Sequence, residues 1–148
     1  MKKILFIISC LFLLIGCSSS VKYDYQVLNN VGIEKINKQD ITLIDNYDKL
    51  TEILDSERFS TASNEWKEKA NFDFAYFEDN NLILIFLSAD HSGTTYSLKS
   101  VEVISDVLNI EIKTKNANLG TDVMVDWAII LQIPKTLEFS SMIYKVES

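Results

Sequence analysis

Apolar residues are spaced in three ways along the chain. Ile4 to Ile15 is an uncharged run in which only Ser9 and Cys10 interrupt aliphatic and aromatic side chains. Further on the apolar groups become short and periodic. Tyr23 to Leu28 alternates as a half-buried strand does, and Ile41 to Ile44 predicts a second strand. Tyr47, Leu50 and Leu54 recur at helical spacing, which predicts a helix over 47–54. Asp45 or Asn46 is placed to cap it, and Asp48 complements the positive end of its dipole. Asn64 to Ala70 predicts a second short helix around Trp66.

From residue 72 the period changes to that of strands. Phe72, Phe74 and Tyr76 alternate, which predicts a strand start. Leu82 to Leu87 is continuously apolar, as a strand covered on both faces is. Ser97 to Ile104 and Leu108 to Lys113 carry Leu98, Val101, Val103, Ile110 and Ile112, with a hairpin turn expected at Ser105-Asp106. Met124 to Ile133 predicts a long strand stopped by Pro134, which lacks the N–H a ladder needs. Leu137 to Val146 predicts the last strand. Sequential strands with short connections and early helices predict an α+β fold. Its core is a mostly antiparallel sheet or sandwich of about five to seven strands, with one or two short helices in the N-terminal half.

The first apolar run is too short for a membrane span, which needs roughly 20 apolar residues. With Lys2 and Lys3 before it, it fits the apolar core of a secretory signal peptide. Its end, Leu14-Ile15-Gly16-Cys17, resembles the lipobox of bacterial lipoproteins at all four positions, and Ser18-Ser19-Ser20 follow. The resemblance implies diacylglycerol on the Cys17 sulfur and cleavage between Gly16 and Cys17. The expected organisation is a signal peptide over 1–16, a lipidated N-terminus and tether over 17–22, and one globular domain over 23–148. The bilayer is then the first partner. The expected location is the cell envelope, on the outer side of the cytoplasmic membrane or in the outer membrane.

Composition narrows this further. Without residues 1–16 the chain keeps 132 of its 148 residues, with 12 basic and 21 acidic side chains, a net charge of −9. Such a surface repels nucleic acid, and no nucleic-acid partner is expected. Cys10 leaves with the signal peptide and Cys17 is taken by lipid, so no disulfide is left to staple the domain. No cofactor is expected beyond that covalent lipid.

The second half resembles the PrcB family of protease-complex subunits. The match runs through Leu84-Ile85-Phe86-Leu87, a polar loop ending Gly93-Thr94-Thr95-Tyr96-Ser97, and the strand Leu98 to Ile104. It closes with Trp127 to Ile130 and Ile133-Pro134-Lys135. Asp45 to Leu54 and Asn71-Phe72-Asp73-Phe74 fit the family's helix and its acidic-aromatic strand start, so the resemblance covers roughly residues 41–139. It implies a non-catalytic accessory subunit that stabilises or presents an exported protease or another envelope protein. The glycines that the family carries before the tyrosine are Thr94 and Thr95 here.

Asp90-His91-Ser92 holds the residue types of a serine-hydrolase triad, but triad side chains must converge, and three consecutive loop residues rarely do. His91 is the single histidine, and no Gly-x-Ser-x-Gly elbow presents a serine. No catalytic residue is therefore expected. One histidine and no free cysteine exclude an ordinary zinc site. Asp79-Asn80-Asn81, and Asp122 with Asp126, lack the spacing of a calcium loop, so no metal is expected. The candidate contacts for a partner are Asp90, His91, Gly93, Thr94, Thr95, Tyr96 and Trp127. Core packing is the first role expected of the two aromatics. The rival expectation is a binding module for a small or extended ligand at the Ser88 to Thr95 loop.

Overall fold

The computed structural model describes residues 22–29, 40–55, 72–89, 93–116 and 125–147. In chain order the elements are β1 (Tyr25–Asn29), β2 (Asp40–Ile44), α1 (Tyr47–Asp55), α2 (Tyr76–Asp79), β3 (Asn80–Ala89), β4 (Thr94–Ile104), β5 (Val107–Asn116), β6 (Val125–Pro134) and β7 (Ser141–Glu147). One sheet has the order β1-β6-β3-β2 and the other β4-β5-β7. The fold is the expected α+β sandwich. The lipobox, the tether up to residue 21 and the helix expected over 64–70 lie outside the described residues.

Three layers follow from the burial pattern. Leu82, Leu84, Phe86, Ala128 and Ile130 turn one face of the first sheet toward Leu50 and Leu54 of α1 and the aromatics Phe72 and Phe77. Ile83, Ile85, Leu87, Ile129 and Leu131 turn the other face toward Leu108, Ile110 and Ile112 of β5. Both β3 and β6 are thus sandwiched, which explains why Leu82 to Leu87 carries no polar break. Fully burying a Leu or Ile side chain stabilises the fold by about 1.5–3 kcal/mol, so this central pair of strands supplies much of the stability.

α1 starts where expected. The Asn46 side-chain oxygen accepts the Lys49 backbone N–H at 2.8 Å, so Asn46 rather than Asp45 is the cap. The β4–β5 turn also falls at Ser105-Asp106, with φ of 51° and 67°. Both residues are left-handed, as the twist of a two-residue hairpin requires.

Two expectations are corrected. The alternation Phe72-Phe74-Tyr76 does not open a strand. The Asp73 carboxylate accepts the Tyr76 backbone N–H at 2.9 Å and folds the segment into the turn that becomes α2; such local bonds compete with a sheet ladder. Phe72 and Phe77 are buried, while Phe74 lies 66% exposed, its ring 4.5 Å from that of Tyr47. Next, the last strand begins at Ser141 rather than Leu137. Leu137 N–H bonds back to Pro134 O, and Ser140 N–H donates to Asp106 O, so residues 135–140 form a link between the sheets. Within the expected, mostly antiparallel sandwich, β7 runs parallel to β5, while the other strand pairs are antiparallel. β6 lies in the opposite sheet, so the chain returns to β5 by crossing over rather than by a hairpin.

Candidate functional site

The register gives the sandwich two ends. At one, β1 begins with Tyr25 opposite Leu131, and Asn80 pairs with Pro134. Residues 135–140 and the Ser105-Asp106 turn belong to this near pole, joined by the Ser140–Asp106 bond. At the far pole Ala89 pairs with Val125, Asn29 with Trp127, and Thr94 with Asn116. The β3–β4 connection, where the contact residues are expected, is therefore at the opposite end from the entry of the chain.

Asp90 and His91 lie outside the described residues. Gly93 is half-buried, and Thr94 is buried at the start of β4. Thr95 is exposed and its hydroxyl donates to Lys115 O at 3.3 Å. Strand alternation separates these neighbours, with one side chain inward and the next outward.

Tyr96 and Trp127, expected first as core residues, meet between the sheets. Their rings are 5.7 Å apart and nearly perpendicular, at 73°, a favourable edge-to-face geometry. The Tyr96 hydroxyl donates to Ser88 O at 2.9 Å, so a side chain of β4 clips the backbone of β3. Tyr144 of β7 makes a longer parallel contact, donating to Phe86 O at 3.4 Å. Burial, with added repulsion from Asp40 and Tyr96, pushes the Tyr144 phenol up to about 12. The Tyr144 hydroxyl therefore stays protonated as a donor near neutral pH. Sequence reasoning took Ser88 only as the start of a loop, whereas it lies within β3, and missed Tyr144. Tyr144 sits in the alternation Met142-Tyr144-Val146, which signals an inward side chain without saying which strand it reaches. The role of Ser88 is a backbone carbonyl, which side-chain identity does not encode.

Trp127 is only 8% exposed, and its indole Nε1 is buried without a hydrogen-bond partner. Most buried polar groups are paired, so this donor stands out. Asn81 Oδ1 is the other such atom among the described residues; Asn81 pairs with Ile133 near the opposite pole.

The outward face of the second sheet holds a charged network. Lys99 Nζ lies 2.8 Å from Glu147 Oε2 and 3.0 Å from Glu111 Oε2. Lys145 Nζ reaches Glu147 Oε1 at 3.0 Å, and Ser100 Oγ donates to Glu111 Oε2 at 3.0 Å. A register shift between Leu98 and Ser100 makes Lys99 an extra residue in β4. Such a bulge lets Lys99 and Ser100 both reach Glu111. Hydrogen bonds from Lys99 and then Lys145 hold the Glu147 carboxyl down at about 2. Lys99 and Ser100 lower Glu111, and the two carboxylates raise Lys99. These groups serve one another across three strands.

Among the described residues, no three His, Cys, Asp or Glu side chains gather as a metal site. Of the oxygen-bearing run, Asn80 donates its side-chain amide to Tyr76 O and Asp79 O accepts the Lys135 N–H, both bonds that shape the α2–β3 corner. Asp126 pairs with Ser88 across the β3–β6 ladder, and Asp122 lies outside the described residues. No described helix is long and apolar enough to cross a membrane. No family model, curated protein or solved structure matches the chain.

Proposed function

We propose that this chain is a lipoprotein of the cell envelope, anchored by diacylglycerol on Cys17, whose domain is a non-catalytic interaction module. The observation that carries the reading is the separation of the two poles. The chain enters β1 at the near pole, and the β3–β4 connection with Tyr96 and Trp127 is at the far one. From Cys17 to Tyr25 the chain can span at most about 29 Å, so a lipid on Cys17 keeps the near pole close to the bilayer. The ten residues of β3 then carry the far pole roughly 33 Å onward, into the space where an exported partner is met. The PrcB resemblance supports a protease, or another envelope protein, as that partner.

Two measurements in cells test this. Metabolic labelling with an alkyne fatty acid should mark the wild type and fail in Cys17→Ala, which should also leave the membrane fraction. A photo-crosslinking residue at Thr95 should capture one envelope protein, and the same residue at Asp106 should not. Label retained by Cys17→Ala overturns the anchor. Equal capture from both positions, or none from Thr95, overturns the interaction reading.

A binding module for a small or extended ligand at the Ser88 to Thr95 loop is the second reading. The unpartnered indole N–H of Trp127 favours it.

A further inference from the structure

We propose that the near pole docks on the bilayer surface itself, with Phe74, Ile104 and Ile143 set among neutral lipid headgroups, so that the domain stands on the membrane rather than swinging from its tether. This rests on Cys17 being the lipid anchor.

The placement of the exposed apolar side chains carries the proposal. Among the described residues the exposed large apolar ones are Tyr25, Phe74, Val103, Ile104 and Ile143. All stand in the half of the sandwich at which the chain enters. Ile104, 55% exposed, ends β4 and pairs with Val107 across the Ser105-Asp106 turn, and Val103 precedes it. Ile143 is the third residue of β7, which starts beside Val107 at the same pole. Tyr25 stands opposite Leu131, three residues before β6 ends. Phe74 precedes α2 and rests its ring on that of Tyr47, just after β2 ends opposite Leu82. The strand ends of the far pole, Ala89, Thr94, Asn116 and Val125, contribute none.

A single exposed apolar residue signals nothing, but a gathering of them at the tethered end is the pattern of a membrane contact. At about 3.3 Å per residue, Ile104, Ile143 and Tyr25 lie within roughly 10 Å of the pole along their strands. Interfacial elements bury their apolar groups about 5–10 Å into the headgroup and acyl boundary, so this rim has the depth of that layer. Ile143 is on the outer face of the second sheet and Phe74 on the helical layer, so the rim flanks the pole on both sides. The tether spans at most about 29 Å, which keeps a bilayer the surface always nearest to it. The exposed charges there lean acidic, with Asp24, Asp73, Asp106 and Glu138 against Lys22 and Lys135. The attraction is therefore apolar, and anionic lipid opposes it.

Spin-label accessibility tests this. The mature lipidated protein keeps no free thiol, so a single added cysteine can carry a nitroxide. Labels at Ser105→Cys and Thr95→Cys, compared in phosphatidylcholine nanodiscs, report one pole each. The ratio of oxygen accessibility, which rises in lipid, to accessibility of a water-soluble nickel chelate should be several-fold higher at Ser105 than at Thr95. Phe74→Ser, Ile104→Ser and Ile143→Ser together should abolish that difference and leave the urea midpoint nearly unchanged, because all three side chains are exposed. Adding phosphatidylglycerol should weaken the contact at Ser105. Water-like labels at both poles overturn the proposal, as does a triple variant that keeps the lipid contact or a contact strengthened by phosphatidylglycerol. Spin–spin broadening at Ser105 that grows with the protein-to-lipid ratio puts a second copy over the rim and overturns it too. The parent protein, without an added cysteine, separates the two readings. Label taken up there means that Cys17 is free and overturns the anchor. No uptake, with both poles in water, overturns the docking alone.

Discussion

The two sheets share one interface and little else. The first sheet is covered on both sides, and residues 82–87 of β3 and 127–131 of β6 are buried without a break. The second sheet is covered on one side. Its inner residues Leu108, Ile110 and Ile112 are fully buried, while Ile143 on the outer side is 54% exposed. The first sheet is held by packing from two directions. The second is packed from one direction and braced on its open face by exposed ion pairs. Packing in a dry interior is large and insensitive to salt, whereas exposed ion pairs are weak and screened.

The sharpest way to break the contrast is a matched pair of truncations. Ile85→Ala, in the middle of β3, should lower unfolding free energy by about 2–5 kcal/mol. Ile143→Ala, on the open face, should change it by less than about 0.5 kcal/mol. Urea denaturation of both variants measures this, and similar losses would mean that the open face is covered. A middle-sized effect should come from the helical layer. Asn46→Ala removes the cap of α1 and should cost about 1 kcal/mol, read from the same urea curves, while Asn46→Asp should retain most of it.

The smallest effect belongs to the network and is identified by its sensitivity to solvent. The Glu147 carboxyl titrates in the folded state at about 2, below its ordinary 4.5. A lowered folded value means that the contribution is complete above pH 4.5 and is lost as pH falls toward 2. Thermal midpoints should therefore fall more steeply over that window in the wild type than in Lys99→Met. At pH 7 the small difference between the two proteins should vanish in 1 M salt, where screening acts over about 3 Å. A salt-independent difference would assign the role of Lys99 to packing of its alkyl chain.

The same contrast governs what could be read from residues alone. A continuous apolar run has one structural meaning, so Leu82 to Leu87 announced a doubly covered strand. Alternation announced β4 and β5, and the turn residues placed the hairpin. Alternation does not encode direction, however, because parallel and antiparallel strands both point every second side chain inward. The parallel pairing of β7 was invisible for that reason. Phe72-Phe74-Tyr76 misled because one carboxylate, that of Asp73, outweighed a correct period. At the far pole Tyr96 and Trp127 were legible as inward aromatics. Their meeting was not, since it depends on how one sheet lies over the other. Ser88 was hidden more deeply, as a backbone group.

The parallel pairing of β5 with β7 bears on the order in which the chain can be finished. The β4–β5 hairpin closes locally and can form early. β7 has no place until β6 has entered the other sheet and residues 135–140 have crossed back. Long-range pairing of this kind forms slowly, because loop closure precedes any gain from contact. During synthesis the edge of β5 stays unpaired until the last strand, Ser141–Glu147, has left the ribosome. The second sheet therefore keeps an open β5 edge for as long as Ser141–Glu147 is unplaced.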